Sequence, residues 1–203
     1  KAAGTGIAVL KKLKEKEPFY AAVYQHNVLK NNSKVKINEF TLGIELEVCY
    51  LIKKNFFTFK KKISENNIKR FIKYIIPCIE VVGYRQKKKG ITSLGDLCSD
   101  FGANMKFVLG SKIKFKNQNV KNLKTKIFNK KINQYVTGNT NTVFINPLNS
   151  LRFVLRKLQK DNINHHKDFY IFTGSSVGVV PILAKGTYKG VIDKLGNVSA
   201  NIN

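Results

Sequence analysis

The stretch Gly43-Ile44-Glu45-Leu46-Glu47-Val48-Cys49-Tyr50 alternates apolar and polar residues with a period of two. That period belongs to a half-buried strand, with Ile44, Leu46, Val48 and Tyr50 on one face and Glu45, Glu47 and Cys49 on the other. Both carboxylates therefore leave the same face, roughly 7 Å apart at the backbone. Acids are scarce in this chain, 12 against 37 basic residues. Two like charges on one strand face repel unless a cation or a basic partner lies between them. Spacing alone leaves two readings open: a hard divalent metal, or a solvated strand face.

Outward from this strand, predicted over 43–52, the pattern is mostly of short strands. Residues 1–16 mix small and basic residues, and Pro18 marks a turn. Ser64 is placed to cap a helix over 64–74, with Ile68, Phe71, Ile72 and Ile75 on one face. Pro77 then stops the helix and leads into a short apolar strand, Ile79-Glu80-Val81-Val82, carrying a single acid. Phe107-Val108-Leu109-Gly110 reads as another strand ending in a turn. Residues 111–136 are strand-like and lysine-rich, closed by Tyr135-Val136-Thr137-Gly138. Asn149 or Ser150 caps a second helix, where Leu151, Val154, Leu155 and Leu158 form an i, i+3, i+4, i+7 stripe. Phe169-Tyr170-Ile171-Phe172 reads as a buried strand running into Thr173-Gly174-Ser175-Ser176, and the glycine-punctuated remainder suits a β-meander. The class predicted is α+β and β-rich, a single domain over 1–203 rather than a doubly wound sheet.

With 203 residues, 43% of them hydrophobic, the chain can bury a real core. Its apolar runs fall far short of the roughly 20 residues that span a bilayer, so no membrane partner and a cytoplasmic (or organellar matrix) location are expected. Cys49, Cys78 and Cys98 are odd in number, widely spaced and without a CxxC pattern. Buried free thiols are expected, not zinc or a disulfide framework. The formal charge of +25 invites nucleic acid as a partner. It arises, however, from 33 lysines and only four arginines (Arg70, Arg85, Arg152, Arg156), and base-edge recognition leans on arginine. The charges are spread along the chain, with short clusters at Lys60-Lys61-Lys62 and Lys87-Lys88-Lys89 expected in loops or at helix ends. A joint excess of Lys and Asn is what an AT-rich genome produces. Nucleic acid is not the expected partner.

Glu80 is the natural third acid, since an unpaired carboxylate on an apolar strand is costly. Three carboxylates from two strands suit Mg²⁺ or Mn²⁺; the competing reading of Glu80 is a buried salt bridge to Arg85. Thr173-Gly174-Ser175-Ser176 could hold a carboxylate through backbone amides and hydroxyls, or be an ordinary turn. No GxxxxGK[ST] or GxGxxG pattern follows a strand. His26, His165 and His166 have no nucleophile partner nearby and read as solvent-facing or structural. The aromatic residues, 14 Phe and 8 Tyr, are assigned to core positions, not to a base-stacking platform.

In order along the chain, these pieces resemble the 2-keto-4-pentenoate hydratase and 4-oxalocrotonate decarboxylase family of the fumarylacetoacetate hydrolase superfamily. The first pieces are Gly43-Ile44-Glu45-Leu46-Glu47, Pro77-Cys78-Ile79-Glu80-Val81-Val82 with Arg85, Ser99-Asp100 and Phe107-Val108-Leu109-Gly110. Gly138, Asn146-Pro147-Leu148-Asn149-Ser150-Leu151, Phe172-Thr173-Gly174-Ser175 and Leu195-Gly196 complete the set. The resemblance implies a fumarylacetoacetate hydrolase-like mixed β-sandwich or roll with a few flanking helices. It makes Glu45, Glu47 and Glu80 the ligands of Mg²⁺ or Mn²⁺, and Leu46, Thr173, Gly174 and Ser175 substrate-binding residues. Lys1-Ala2-Ala3-Gly4-Thr5-Gly6 is similar to the family's GxKxxxTS-like segment from its lysine onward. Lys1 thereby becomes the catalytic group, with a pKa lowered beside the cation, and the family's N-terminal segment would precede it. Two departures stand out. Phe19, in Glu17-Pro18-Phe19-Tyr20-Ala21, occupies the place of the acid–base Asp of family hydratases, closer to the decarboxylase branch. Gly83 and Phe101 replace an acid and an Asn common in the family.

The function implied is a divalent-metal-dependent lyase acting on a small 2-oxo or 2-hydroxydienoic acid through a metal-stabilised enolate, by hydration or decarboxylation. A homo-oligomer is implied as well. The alternatives are a pseudoenzyme of the same fold serving as a basic structural subunit, and acylpyruvate hydrolysis, for which His26 is the candidate base.

Overall fold

The computed structural model describes residues 1–85 and 93–203; the lysine cluster at 87–89 lies outside the described residues. In chain order the strands are β1 (Ala2–Ala3), β2 (Phe19–Tyr20), β3 (Val28–Leu29), β4 (Lys34–Val35), β5 (Thr41–Ile52) and β6 (Ile72–Gly83). They continue with β7 (Asn104–Leu109), β8 (Ile113–Lys114), β9 (Lys124–Asn129), β10 (Gln134–Asn139), β11 (Phe169–Ser175), β12 (Gly186–Ile192) and β13 (Gly196–Ile202). The helices are α1 (Ile7–Leu13), α2 (Glu65–Ile68), α3 (Leu94–Ser99) and α4 (Pro147–Lys160).

Two mixed sheets dominate, one in the order β11-β5-β6-β7-β3 with β8 also on β6, the other β10-β9-β12-β13-β4; β1 and β2 form a separate ribbon. The period-two reading of β5 holds. Ile44, Leu46, Val48, Tyr50 and Ile52 point into a core shared with Ile127, Tyr188, Val198 and Ala200 of the facing sheet. Gly190 marks the close approach of the layers, because a Cβ there would press into Leu46 Cδ1 at 2.5 Å. The stripe of α4 (Leu151, Val154, Leu155, Leu158) joins the same core.

The predicted helix over 64–74 is cut short, and its last residues, 72–74, are strand. Ser64 does cap α2, in a capping box with Asn67, but α2 ends at Ile68 and a single 3₁₀ turn (Lys69–Phe71) leads into β6. Ile72, Tyr74, Ile75 and Ile76 are β-branched or aromatic, and twelve-residue pairing with β5 overrides a weak helical period. Pro77 sits inside β6. Its carbonyl accepts from Gly110 N–H (2.8 Å), so its missing donor falls on that same side, where the partner of β6 changes from β7 to β8. Helix α4 starts earlier than expected: Asn146 is the cap, accepting from Asn149 N–H, with Pro147 in the first turn. Helix α1 has no counterpart in the sequence reading. Cys49 and Cys78 are buried free thiols, while Cys98 is exposed. Tyr135 also departs from its assigned core place: it is 55% exposed and stacked on Phe128 across β9 and β10. No helix among the described residues is long and apolar enough to cross a membrane.

Candidate metal centre

Strands β5 and β6 pair antiparallel with Glu45 directly opposite Glu80, and Glu47 opposite Cys78. All three carboxylates leave the face turned away from the sandwich core, and one oxygen from each lies within 4.8 Å of the others. Glu47 and Glu80 are fully buried. Like charges directly opposite on paired strands destabilise a sheet, so this arrangement calls for a cation.

Each buried carboxylate has one oxygen engaged and one free. Glu47 Oε2 accepts from Gly174 N–H (3.0 Å), and Glu80 Oε1 accepts from Lys1 Nζ (2.5 Å). Glu47 Oε1 and Glu80 Oε2 are buried without a hydrogen-bond partner. Buried carboxylate oxygens left so are rare in folded proteins. Three convergent oxygen donors with two such orphans fit a hard divalent cation, which Glu45, Glu47 and Glu80 would hold.

Burial pushes Glu45 up to about 7, Lys1 opposing and Glu47 adding to the shift. Burial likewise drives Glu80 well above the carboxylate range, again against Lys1. Lys1 itself loses by burial but gains more from Glu80, Glu47 and Glu45, so its ammonium is held above the ordinary value. The lowered pKa expected beside a cation is thus reversed where the carboxylates alone surround it. The alternative ion pair of Glu80 with Arg85 does not form; Arg85 pairs with Asp100 at 3.6 Å.

The raised Glu45 pKa makes a signed prediction for the metal-free protein. Folding favours the protonated form, so ionisation costs nothing below about pH 4.5 and its cost is complete above about pH 7. In chelator, wild type should lose about 3 kcal/mol relative to Glu45→Gln between pH 4.5 and 8, read by denaturant unfolding. Parallel stability profiles for the two proteins would show that Glu45 is not held in this way.

The glycine turn reaches Glu47 through a bulge. The register of β11 on β5 shifts between Phe172 and Ser175, bringing the Gly174 amide onto the carboxylate. Gly174 has φ +103°, and a Cβ on it would overlap Thr5 Oγ1. Thr173 is anchored by its hydroxyl donating to Val48 O (2.8 Å) and its carbonyl accepting from Ser150 Oγ (2.7 Å). Ser175 lines the cavity described below, with its hydroxyl donating to Gly178 O (3.0 Å). Leu46, expected among the substrate-binding residues, has its side chain turned into the core by strand alternation, at 0% exposure. What it offers the site is its carbonyl, which accepts from Ser176 N–H (2.9 Å) and Oγ (2.8 Å).

Lys1, Glu45, Glu47, Gly174 and Ser175 open onto one cavity of about 950 Å³. Thr5 and α1, which also line it, were missed because a seven-residue helix among small and basic residues carries no clear period. Phe19 lies outside this cavity, packed on Val82, Leu97 and Ala103. A side chain at Gly83 would overlap Met105 Sδ and approach Phe40 O to 2.7 Å, so no acid fits there. Phe101 is stacked beneath Arg85, whose guanidinium carbon is 5.5 Å from the ring centroid. His26 is exposed on Tyr24 and does not line the cavity; His165 and His166 are exposed.

No known family profile matches the chain, and no curated protein matches it by sequence. Solved structures do match. The 4-oxalocrotonate decarboxylase from Pseudomonas putida G7, complexed with magnesium and adipate, is similar with a TM-score of 0.86 at 19% identity, over 100% of this chain and 76% of that one. The same enzyme complexed with calcium and acetate gives 0.85 at 19% identity, with the same coverage. A protein from Yersinia pestis CO92 assigned to the fumarylacetoacetate hydrolase family gives 0.70 at 14% identity, over 100% of this chain and 90% of that one. The chain therefore has a fumarylacetoacetate hydrolase-like fold, β-rich α+β as the sequence implied.

Proposed function

We propose that the chain is a divalent-metal-dependent lyase that acts on a 2-oxo or 2-hydroxydienoic acid, with Mg²⁺ or Mn²⁺ held by Glu45, Glu47 and Glu80. The observation that carries this reading is the convergence of three carboxylates, two with an orphaned oxygen, of which Glu45 and Glu47 line a cavity shared with Lys1. When bound, the cation supplies Lewis acidity toward the substrate's oxygens. Gly174 N–H fixes the orientation of Glu47, and Lys1 Nζ does the same for Glu80. Lys1 also carries a proton at the cavity wall, available to a carbon that has gained an electron pair.

Between the two lyase reactions, decarboxylation is favoured. Hydration needs a group to activate water, and Phe19, packed in an apolar cluster, supplies none. Loss of carbon dioxide needs only that the electron pair left on the substrate be stabilised and then protonated. Hydrolysis of acylpyruvates is disfavoured because His26 stands outside the cavity. The similarity to a decarboxylase complexed with magnesium and adipate agrees with this choice. The test is carbon dioxide release from 4-oxalocrotonate against hydration of 2-hydroxypenta-2,4-dienoate, each with Mn²⁺ and with chelator. Metal-dependent decarboxylation in excess of hydration is expected. Faster hydration would overturn the choice of reaction, and no turnover of either by Mn²⁺-loaded protein would overturn the lyase.

A further inference from the structure

The cavity beside the three carboxylates is larger and more apolar than a six-carbon acid requires. At about 950 Å³ it stands at the upper end of the range that encloses drug-sized ligands. Its ionisable groups Lys1, Glu45 and Glu47 meet at one place, and Lys12, Thr137, Asn141 and Thr142 add further polar groups to the lining. The lining also carries an apolar group made of Ile7, Val9, Leu42, Val82, Leu97 and Val179. Val82 lies two residues past Glu80 on β6, hence on the same strand face, and opposes Gly43 of β5. Val179 is held against Gly43 by the bridge between Ile44 and Val180.

Several of these apolar side chains are open to water. Ile7 is 64% exposed, Val179 46%, and Val9 and Leu42 each 42%. They account for four of the nine large hydrophobic residues exposed among the described residues, and all four line this one cavity. Scattered exposed apolar residues need no explanation, but a contiguous set continuous with a polar site marks a surface that something covers.

We propose that the occupant is the substrate's own tail: the 2-oxo acid bears an alkyl or aryl substituent beyond its reacting carbons, which lies along β6 from Glu80 toward Val82 and against Val179. This rests on the reading of the site as a metal-dependent 2-oxo acid site and adds the chemistry of the substrate's far end. The substituent exchanges water for the apolar wall, and Val179 and Leu42 act as specificity-determining residues that touch it.

The test measures binding of saturated 2-oxo acids from 2-oxobutanoate to 2-oxooctanoate to Mn²⁺-loaded protein by calorimetry. Affinity should rise about threefold per added methylene, somewhat under the full transfer value. The rise should flatten in Val179→Asp and Leu42→Asn, whose retained Mn²⁺ binding shows that they are folded. Equal affinity along the series, with Mn²⁺ and 2-oxobutanoate still bound, would overturn the tail and leave the metal site standing. So would concentration-dependent self-association abolished by Val179→Asp without a chain-length effect, which would assign the patch to a second copy of this chain. Failure of wild type to bind Mn²⁺ and 2-oxobutanoate at all would overturn both.

Discussion

Glu47→Gln is expected to remove divalent-cation binding while leaving the fold intact. The carboxylate is fully buried, with Oε2 accepting from Gly174 N–H and Oε1 orphaned. An amide of the same shape keeps an acceptor for the Gly174 amide but deletes the charge that a cation needs. Groups that merely support a ligand are worth about 10–100-fold in metal affinity, so loss of a ligand should cost at least about 100-fold. In chelator the variant should be no less stable than wild type, because one of three crowded carboxyl groups has become a neutral amide. Mn²⁺ titration calorimetry and thermal unfolding in chelator read the two effects separately. Unchanged Mn²⁺ affinity would remove Glu47 from the site.

Gly174→Ala should be the most damaging small substitution in the turn. At φ +103° a Cβ is strained whatever the surrounding space, and here it would also overlap the buried Thr5 hydroxyl. Backbone strain of about 1–3 kcal/mol adds to overpacking of about 1–3 kcal/mol. For a domain of this size the sum lowers Tm by about 10 °C. Adding Thr5→Ala should recover part of the overpacking, since the Thr5 Cβ stays 2.8 Å from the new Cβ, and none of the backbone strain. A shift under about 2 °C for the single variant would mean that the turn relaxes freely, and that Gly174 is not needed to place its amide on Glu47.

The residues of this site were legible in different degrees. Strand β5 declared itself because its two faces differ in polarity at every step from Ile44 to Tyr50, and burial on one face fixes such a pattern. Glu80 could be named as the third acid, but no local signal places it across from Glu45; that register arises from pairing two twelve-residue strands. Pro77 misled the reading. A proline usually ends an element, and only the switch of partner strands beside it makes a place for a missing donor. Leu46 is expected at the substrate only through the resemblance, while its own alternation with Glu45 and Glu47 turns its side chain to the core. The contact of Lys1 with Glu80 and that of Gly174 with Glu47 join residues 79 and 127 positions apart. Such contacts follow from topology, and neither composition nor periodicity carries them.

Glu45, Glu47 and Glu80 are expected to hold one divalent cation between them. A crystal of this chain grown with Mn²⁺ and measured for manganese anomalous scattering tests it most directly. The expected result is a single strong peak ligated by oxygens of all three carboxylates, including Glu47 Oε1 and Glu80 Oε2. A map with no peak there, or with manganese bound elsewhere while Lys1 and the three acids keep the arrangement described, would contradict it.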